Sequence, residues 1–271
     1  MTLFTNLTVA ALDLDDTLLR SDGKISDRTL AALHNWQAAG RRLVIATGRP
    51  HRSVEPVLPV ELHNIPLICY NGAEIHIDGC KIFENLIPPD AVRTIVEQVQ
   101  QTAPALIVGL EVHGELYLNR AVKRASPYHV ADLLEMAVHP AAKVLIFGEE
   151  LQPVIPLLAE LPAAAKALLS ARYQFIQILA AGANKAAALA VLMADWGVPL
   201  TQVVAFGDDT NDIEMLQECG LGVAVANAVD EVKAVANLIT ASNDEDGVAL
   251  VLEQLLDGSL VDDGVSKPIV Y

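Results

Sequence analysis

Three short apolar runs in this chain each end abruptly at a polar cluster, and this pattern narrows the possible folds more than any other feature. Residues 9–12 lead into Asp13-Leu14-Asp15-Asp16-Thr17, residues 43–46 into Thr47-Gly48-Arg49, and residues 203–206 into Gly207-Asp208-Asp209-Thr210-Asn211-Asp212. Runs of Val, Ile, Leu and Ala without polar alternation read as strands buried on both faces, the habit of parallel sheets. Helical patterns lie between them. One starts at a Ser26 N-cap and stops at Gly40, with Leu30, Leu33 and Trp36 recurring on one side; another covers 185–196. Strands alternating with helices predict an α/β fold, a doubly wound parallel sheet of the Rossmann type. Ligands of such sheets bind beyond the carboxyl ends of the strands, so all three clusters are expected at one edge.

The middle of the chain departs from this pattern. Residues 73–77 and 81–83 flank Asp78-Gly79, a dipeptide suited to a tight hairpin, and a helix is expected over 89–101. Alternating runs at 106–112 and 116–118, strand candidates at 143–147 and 175–179, and a Pro-interrupted helical stretch over 151–161 complete an α+β block. It reads as a unit of residues 82–182 inserted between the two halves of the core, 1–81 and 183–271. After residue 183 the alternation of strand and helix returns, with Asn211 expected to cap a helix and Glu214 three residues on. The tail from 257 to 271 has no periodicity and is expected to pack loosely.

Composition excludes several classes of function. Asp and Glu total 34 against 18 Lys and Arg, a formal charge of −16, which disfavours nucleic-acid backbones and acidic membrane surfaces. Cys69, Cys80 and Cys219 have neither disulfide nor metal spacing and read as small buried residues in a reducing compartment. No run approaches the ~18 apolar residues of a membrane span, and the N-terminus lacks the pattern of a secretory signal. The expectation is a soluble cytoplasmic protein.

Several carboxylates at one sheet edge need a cation. Two unit charges about 4 Å apart repel by about 4 kcal/mol at an effective dielectric near 20. With oxygen donors only, the expected ion is Mg²⁺, commonly completed by a substrate phosphate. Asp13, at the strand end, is placed to attack phosphorus in line and form an aspartyl-phosphate; Asp15 is placed to protonate the leaving oxygen and then activate water. Thr47 offers a hydroxyl and a backbone donor, Lys185 a compact positive charge, and Asn211 a neutral donor, with Asp212 behind the metal. Arg49 is expected to pair with a nearby carboxylate.

These motifs resemble those of the haloacid dehalogenase superfamily of phosphatases. Asp13-Leu14-Asp15-Asp16-Thr17-Leu18 is similar to the first motif, Ala46-Thr47-Gly48-Arg49 to the second, Lys185 to the third and 207–212 to the fourth. Asn71-Gly72-Ala73-Glu74-Ile75 and residues 242–249 resemble the Cof-type branch, in which the inserted unit is a cap that selects the substrate. The resemblance implies metal ligation by Asp13, the Asp15 main-chain carbonyl and Asp208. It also implies phosphate contacts from the Leu14 backbone, Thr47, Gly48, Lys185 and Asn211. Two positions depart from the pattern: Asp16 stands where the family usually has Gly, and Ala226 replaces a common Gly before Asn227.

The expected partner is a small phosphorylated metabolite, a sugar phosphate or phosphorylated cofactor. A phosphomutase would use the same carboxylates but return the phosphoryl group to the substrate. A receiver-type phospho-switch shares the acidic cluster and sheet but lacks the second Asp and the inserted unit.

Overall fold

The computed structural model describes residues 6–123, 126–170, 175–260 and 269–270. The chain divides into two compact units, Met1–Ile82 with Asn184–Tyr271, and Phe83–Ala183.

In the first unit, β1 (Val9–Leu12) is followed by α1 (Asp27–Ala38), β2 (Arg42–Ala46), β3 (Leu67–Cys69), β4 (Glu74–Ile77) and β5 (Cys80–Glu84). The Ser26 hydroxyl caps α1 by accepting from the Thr29 N–H. The β4–β5 turn places Asp78 (φ 49°) and Gly79 (φ 74°) in the left-handed region, the geometry of a two-residue hairpin loop.

The second unit contains α2 (Pro89–Thr102), β6 (Ile107–Val112), β7 (Glu115–Leu118), β8 (His129–Val130), α3 (Leu133–Met136), β9 (Lys143–Phe147), β10 (Ala165–Ser170) and β11 (Phe175–Ala180). Its six strands form a mixed sheet ordered β10-β11-β9-β6-β7-β8. The Pro-interrupted helical stretch over 151–161 is two 3₁₀ segments, Gln152–Val154 and Pro156–Ala159. Pro153 and Pro156 remove the donors that an α-helix would need there.

The chain then returns to the first unit with α4 (Lys185–Trp196), β12 (Val203–Gly207), α5 (Ile213–Glu218), β13 (Leu221–Ala224), α6 (Asp230–Val235), β14 (Leu238–Ile239), α7 (Gly247–Asp257) and β15 (Ile269–Val270). The nine-stranded sheet runs β15-β14-β13-β12-β1-β2-β3-β4-β5, and β4 pairs antiparallel with β3. Helix α1 packs with α7, while α5 packs with α4 and α6, the two-sided cover of a doubly wound sheet. The tail expectation changes in part: Ile269 and Val270 pair with β14 as a parallel strand, and 261–268 lie outside the described residues.

The central strands carry the core. Val9, Ala10, Ala11 and Leu12 are fully buried, as are Val203 to Phe206 beside them. Each fully buried Val, Leu or Ile contributes about 1.5–3 kcal/mol, so an aliphatic core suffices with few aromatics. Cys69 and Cys219 are buried, but Cys80 is exposed because β5 is the edge strand of the sheet. Among the described residues no helix is long and apolar enough to cross a membrane.

Candidate active site

The register of the central strands brings the polar clusters together. Leu12 lies opposite Ile45 on one side and Phe206 on the other, so the residues after each strand emerge level at the carboxyl edge.

Asp13 follows β1 and is buried. Its Oδ1 accepts from Lys185 Nζ at 2.5 Å, and the same ammonium donates to Asp212 Oδ1 at 2.6 Å. Lys185 is wholly buried in the first turn of α4, whose N-cap, Asn184, accepts from the Ala187 N–H at 2.6 Å. The other oxygen of Asp212 accepts from the Asp208 and Asp209 N–H groups at 3.0 and 3.2 Å, and Thr17 Oγ1 donates to Asp208 Oδ1 at 3.2 Å. Carboxylate oxygens of Asp13, Asp208 and Asp212 lie within 4.8 Å of one another, a group that could hold a metal ion.

Burial and the surplus of negative charge over one ammonium raise the pKa of two of these carboxylates, Asp13 and Asp208. Burial pushes Asp13 well above the usual carboxylate range; Asp212 and Asp208 push the same way, and Lys185 only partly offsets them. Burial and the Asp212 charge push Asp208 up to about 7, with a smaller contribution from Asp16. Burial disfavours the Lys185 ammonium, but the Asp13 and Asp212 carboxylates outweigh it and hold its pKa above the ordinary value.

Asp15 is not a member of this group. Its carboxylate is gripped by Arg49, with Nε at 2.8 and 3.1 Å and Nη2 at 2.5 Å, while Arg49 Nη1 donates to the Ser53 carbonyl. The expected carboxylate partner of Arg49 is thus Asp15 itself. Asp16 has φ 57°, a backbone that glycine adopts freely, which accounts for the usual Gly of the motif. Its carbonyl accepts from Asn227 Nδ2 at 2.7 Å; Asn227 Oδ1 accepts from the Asn243 N–H, and Asn243 Nδ2 donates to the Leu19 carbonyl. The segments around Asn227 and Asn243 thus brace the loop that carries Asp13 and Asp15. Leu14 is buried within that loop.

Thr47 is buried after β2. Its Oγ1 accepts from the Arg49 N–H at 3.1 Å and so keeps a hydroxyl hydrogen to donate. Gly48 lies beside Asn71, where an added Cβ would come within 3.0 Å of Oδ1. Asn211 is not a helix cap. Asp209 takes that place in a reciprocal capping box with Asp212, which frees the Asn211 amide to donate to Asn71 Oδ1 at 2.9 Å. Asn71 itself was not expected as a site residue. It is buried at φ 56°, and its Nδ2 has no hydrogen-bond partner in the structure. An Asn-Gly one residue beyond a buried strand was the signal that could have identified it.

Residues 10–252 match the model of the haloacid dehalogenase-like hydrolase family. The 5-amino-6-(5-phospho-D-ribitylamino)uracil phosphatase YitU of Bacillus subtilis is 33% identical over 258 residues, covering 90% of this chain and 96% of its own. The pyridoxal phosphate phosphatase YbhA of Escherichia coli is 28% identical over 268 residues, covering 89% and 96%. A haloacid dehalogenase-like hydrolase from Bacteroides thetaiotaomicron superposes with a TM-score of 0.80 at 30% identity, covering 92% of this chain and 99% of the other.

Proposed function

Because this chain belongs to the haloacid dehalogenase-like hydrolases, in the Cof-type branch of phosphatases acting on small phosphate monoesters, we propose that Asp13 is its phosphoryl-accepting nucleophile. The observation that carries this reading is the buried Asp13–Lys185–Asp212 bridge. Lys185 holds one oxygen of Asp13 and leaves the other to attack phosphorus, while Asp212, anchored by two N–H groups, fixes the ammonium.

The donor set fits Mg²⁺. It consists of oxygen alone, is buried, and carries more negative charge than Lys185 neutralises. Asp13, Asp208 and the Asp15 main-chain carbonyl would hold the ion, with Asp212 behind them. When bound, the ion would neutralise charge on the phosphoryl oxygens.

The phosphoryl group is bound by the Thr47 hydroxyl, the Gly48 and Leu14 backbone, Lys185 and the amides of Asn211 and Asn71. The partnerless Asn71 Nδ2 gains an acceptor in a phosphate oxygen. Asp15 protonates the leaving oxygen and then takes a proton from the water that cleaves the aspartyl-phosphate. Its pairing with Arg49 gives it a resting place beside the buried cluster, so the carboxyl turns from the guanidinium to do this work. Residues 82–182 act as the cap that selects the substrate.

The substrate to test first is 5-amino-6-(5-phospho-D-ribitylamino)uracil, in view of the likeness to YitU, with pyridoxal phosphate and sugar phosphates in the same panel. Released phosphate is measured with Mg²⁺ and with a chelator. Asp13→Asn is expected to lose all turnover while melting as a folded protein; retained turnover would overturn the nucleophile assignment. An intermediate on Asp13 should appear in rapidly quenched protein as a phosphorylated peptide spanning that residue.

A further inference from the structure

At the opposite end of the first unit's sheet, two adjacent arginines frame a cavity of about 370 Å³. Arg42 opens β2 level with Val9, the first residue of β1, so it lies about 13 Å along the strand from Ala46 and the catalytic edge. The cavity is bordered by Arg41, Arg42, Gln37, Asn64, Pro66 and Trp196. The Arg41 guanidinium sits 4.4 Å from the centre of the Trp36 ring, and that of Arg42 sits 4.6 Å from the centre of the Trp196 ring. The Trp36 Nε1 donates to the Arg42 carbonyl at 3.0 Å, which ties the pair to α1.

These arginines are unusual in so acidic a chain. Acidic groups outnumber basic ones 34 to 18, yet among the described residues no carboxylate pairs with either guanidinium. Among the described residues Arg41 Nη1 is buried and has no hydrogen-bond partner, and burial lowers its pKa from the ordinary value. Stacking on an indole accounts for where the guanidinium planes lie. It leaves the buried Nη1 of Arg41 without an acceptor, which is costly, and leaves the exposed fork of Arg42 open to a ligand. The amides of Gln37 and Asn64 add neutral donors at the same rim.

We infer that this cavity is a second binding site, which takes the oxyanion group of a small metabolite, a phosphate or a carboxylate, between the forks of Arg41 and Arg42. Guanidinium forks match both groups through paired N–H donors, and the volume is of the size that holds a small molecule. The site is independent of the phosphatase reading, because none of its residues belongs to the carboxylate cluster.

The chain has two tryptophans, and each lies under one of the two arginines, so intrinsic emission reports on the site directly. The experiment titrates full-length protein in chelator with sodium phosphate and, separately, sodium malonate, against sodium chloride at equal ionic strength. A saturable change in tryptophan emission is expected at roughly millimolar phosphate or malonate, and whichever responds identifies the group recognised. Arg42→Gln alters an exposed side chain, and it is expected to weaken the response about tenfold while phosphatase turnover and melting temperature stay as in the parent. Arg41→Gln should weaken it likewise. The inference fails if neither anion gives a response beyond that of chloride, or if Arg42→Gln responds with the parent's affinity, which would place the anion elsewhere.

Discussion

Lys185 surrenders its hydration entirely to sit between Asp13 and Asp212, and a buried cation is tolerable only because both partners are within 2.6 Å. Replacing it by Met keeps the volume but leaves two desolvated carboxylates facing each other. Lys185→Met is expected to lose at least about 100-fold in turnover, as for removal of a donor to a reacting oxyanion. Breaking such a pair costs about 3–5 kcal/mol, so the variant should melt measurably below the parent by calorimetry. The raised pKa values of Asp13 and Asp208 make a second prediction at this scale. Asp208 titrates near 7 in the folded chain against 3.8 for a free carboxyl, so the folded state binds more protons between those values. Its contribution to stability is intact below 3.8 and is lost as pH rises through about 7, and Asp13 acts in the same direction. In chelator the melting temperature should therefore fall from pH 5 to pH 8 through these two groups. Added Mg²⁺ should raise it more at pH 8 than at pH 5, because the ion competes with protons for the same oxygens. Equal Mg²⁺ effects at both values would argue against ligation by Asp208.

At the scale of elements, close approach decides more than propensity. A Cβ on Gly207 would fall 2.4 Å from the Cβ and 2.5 Å from the Cγ of Asp212, so the last residue of β12 must be glycine for the Asp212 carboxylate to reach Lys185. Gly207→Ala is expected to fold with its sheet intact by circular dichroism and to lose most of its kcat, with KM changed far less. Similarly, Gly72 (φ 94°) would place a Cβ 2.1 Å from the Asn184 carbonyl, where the chain enters α4. Strands and helices with strong local signals were legible: the buried runs 9–12 and 203–206, the Ser26 cap, and the Asp78-Gly79 turn. Strand β10 was not, because Ala-Lys-Ala-Leu-Leu-Ser has weak β-propensity and its state is set by pairing with β11 across the second sheet. The same holds within the site. The order of the motifs made Asp13, Thr47, Lys185 and Asp208 readable along the chain, whereas the grip of Arg49 on Asp15 and the use of Asp209 in place of Asn211 as a cap depend on side-chain directions that spacing does not encode. Asn71 escaped for the same reason, since its importance lies in an unfilled hydrogen bond.

Across the whole molecule, the charge of −16 sets how an anionic substrate arrives. The average field repels it, and Lys185 and Arg49 near the carboxyl edge oppose that field locally. The Debye length shrinks from about 30 Å at 0.01 M salt to about 8 Å at 0.15 M, so the repulsion is screened before the short-range contacts are. The expected result is a rise in kcat/KM across that range of sodium chloride, measured at constant Mg²⁺; a steady fall would mean that the local cations dominate at long range as well. The path of the backbone has a different consequence. The second unit ends at Ala183, and the next residue is the capping Asn184, with Lys185 directly after it. The chain therefore re-enters the first unit one residue before the cationic anchor, with the helix already capped at that point. A lineage could exchange the intervening hundred or so residues for another insert, and thereby acquire a new diet of metabolites, while the hydrolytic machinery is inherited unaltered.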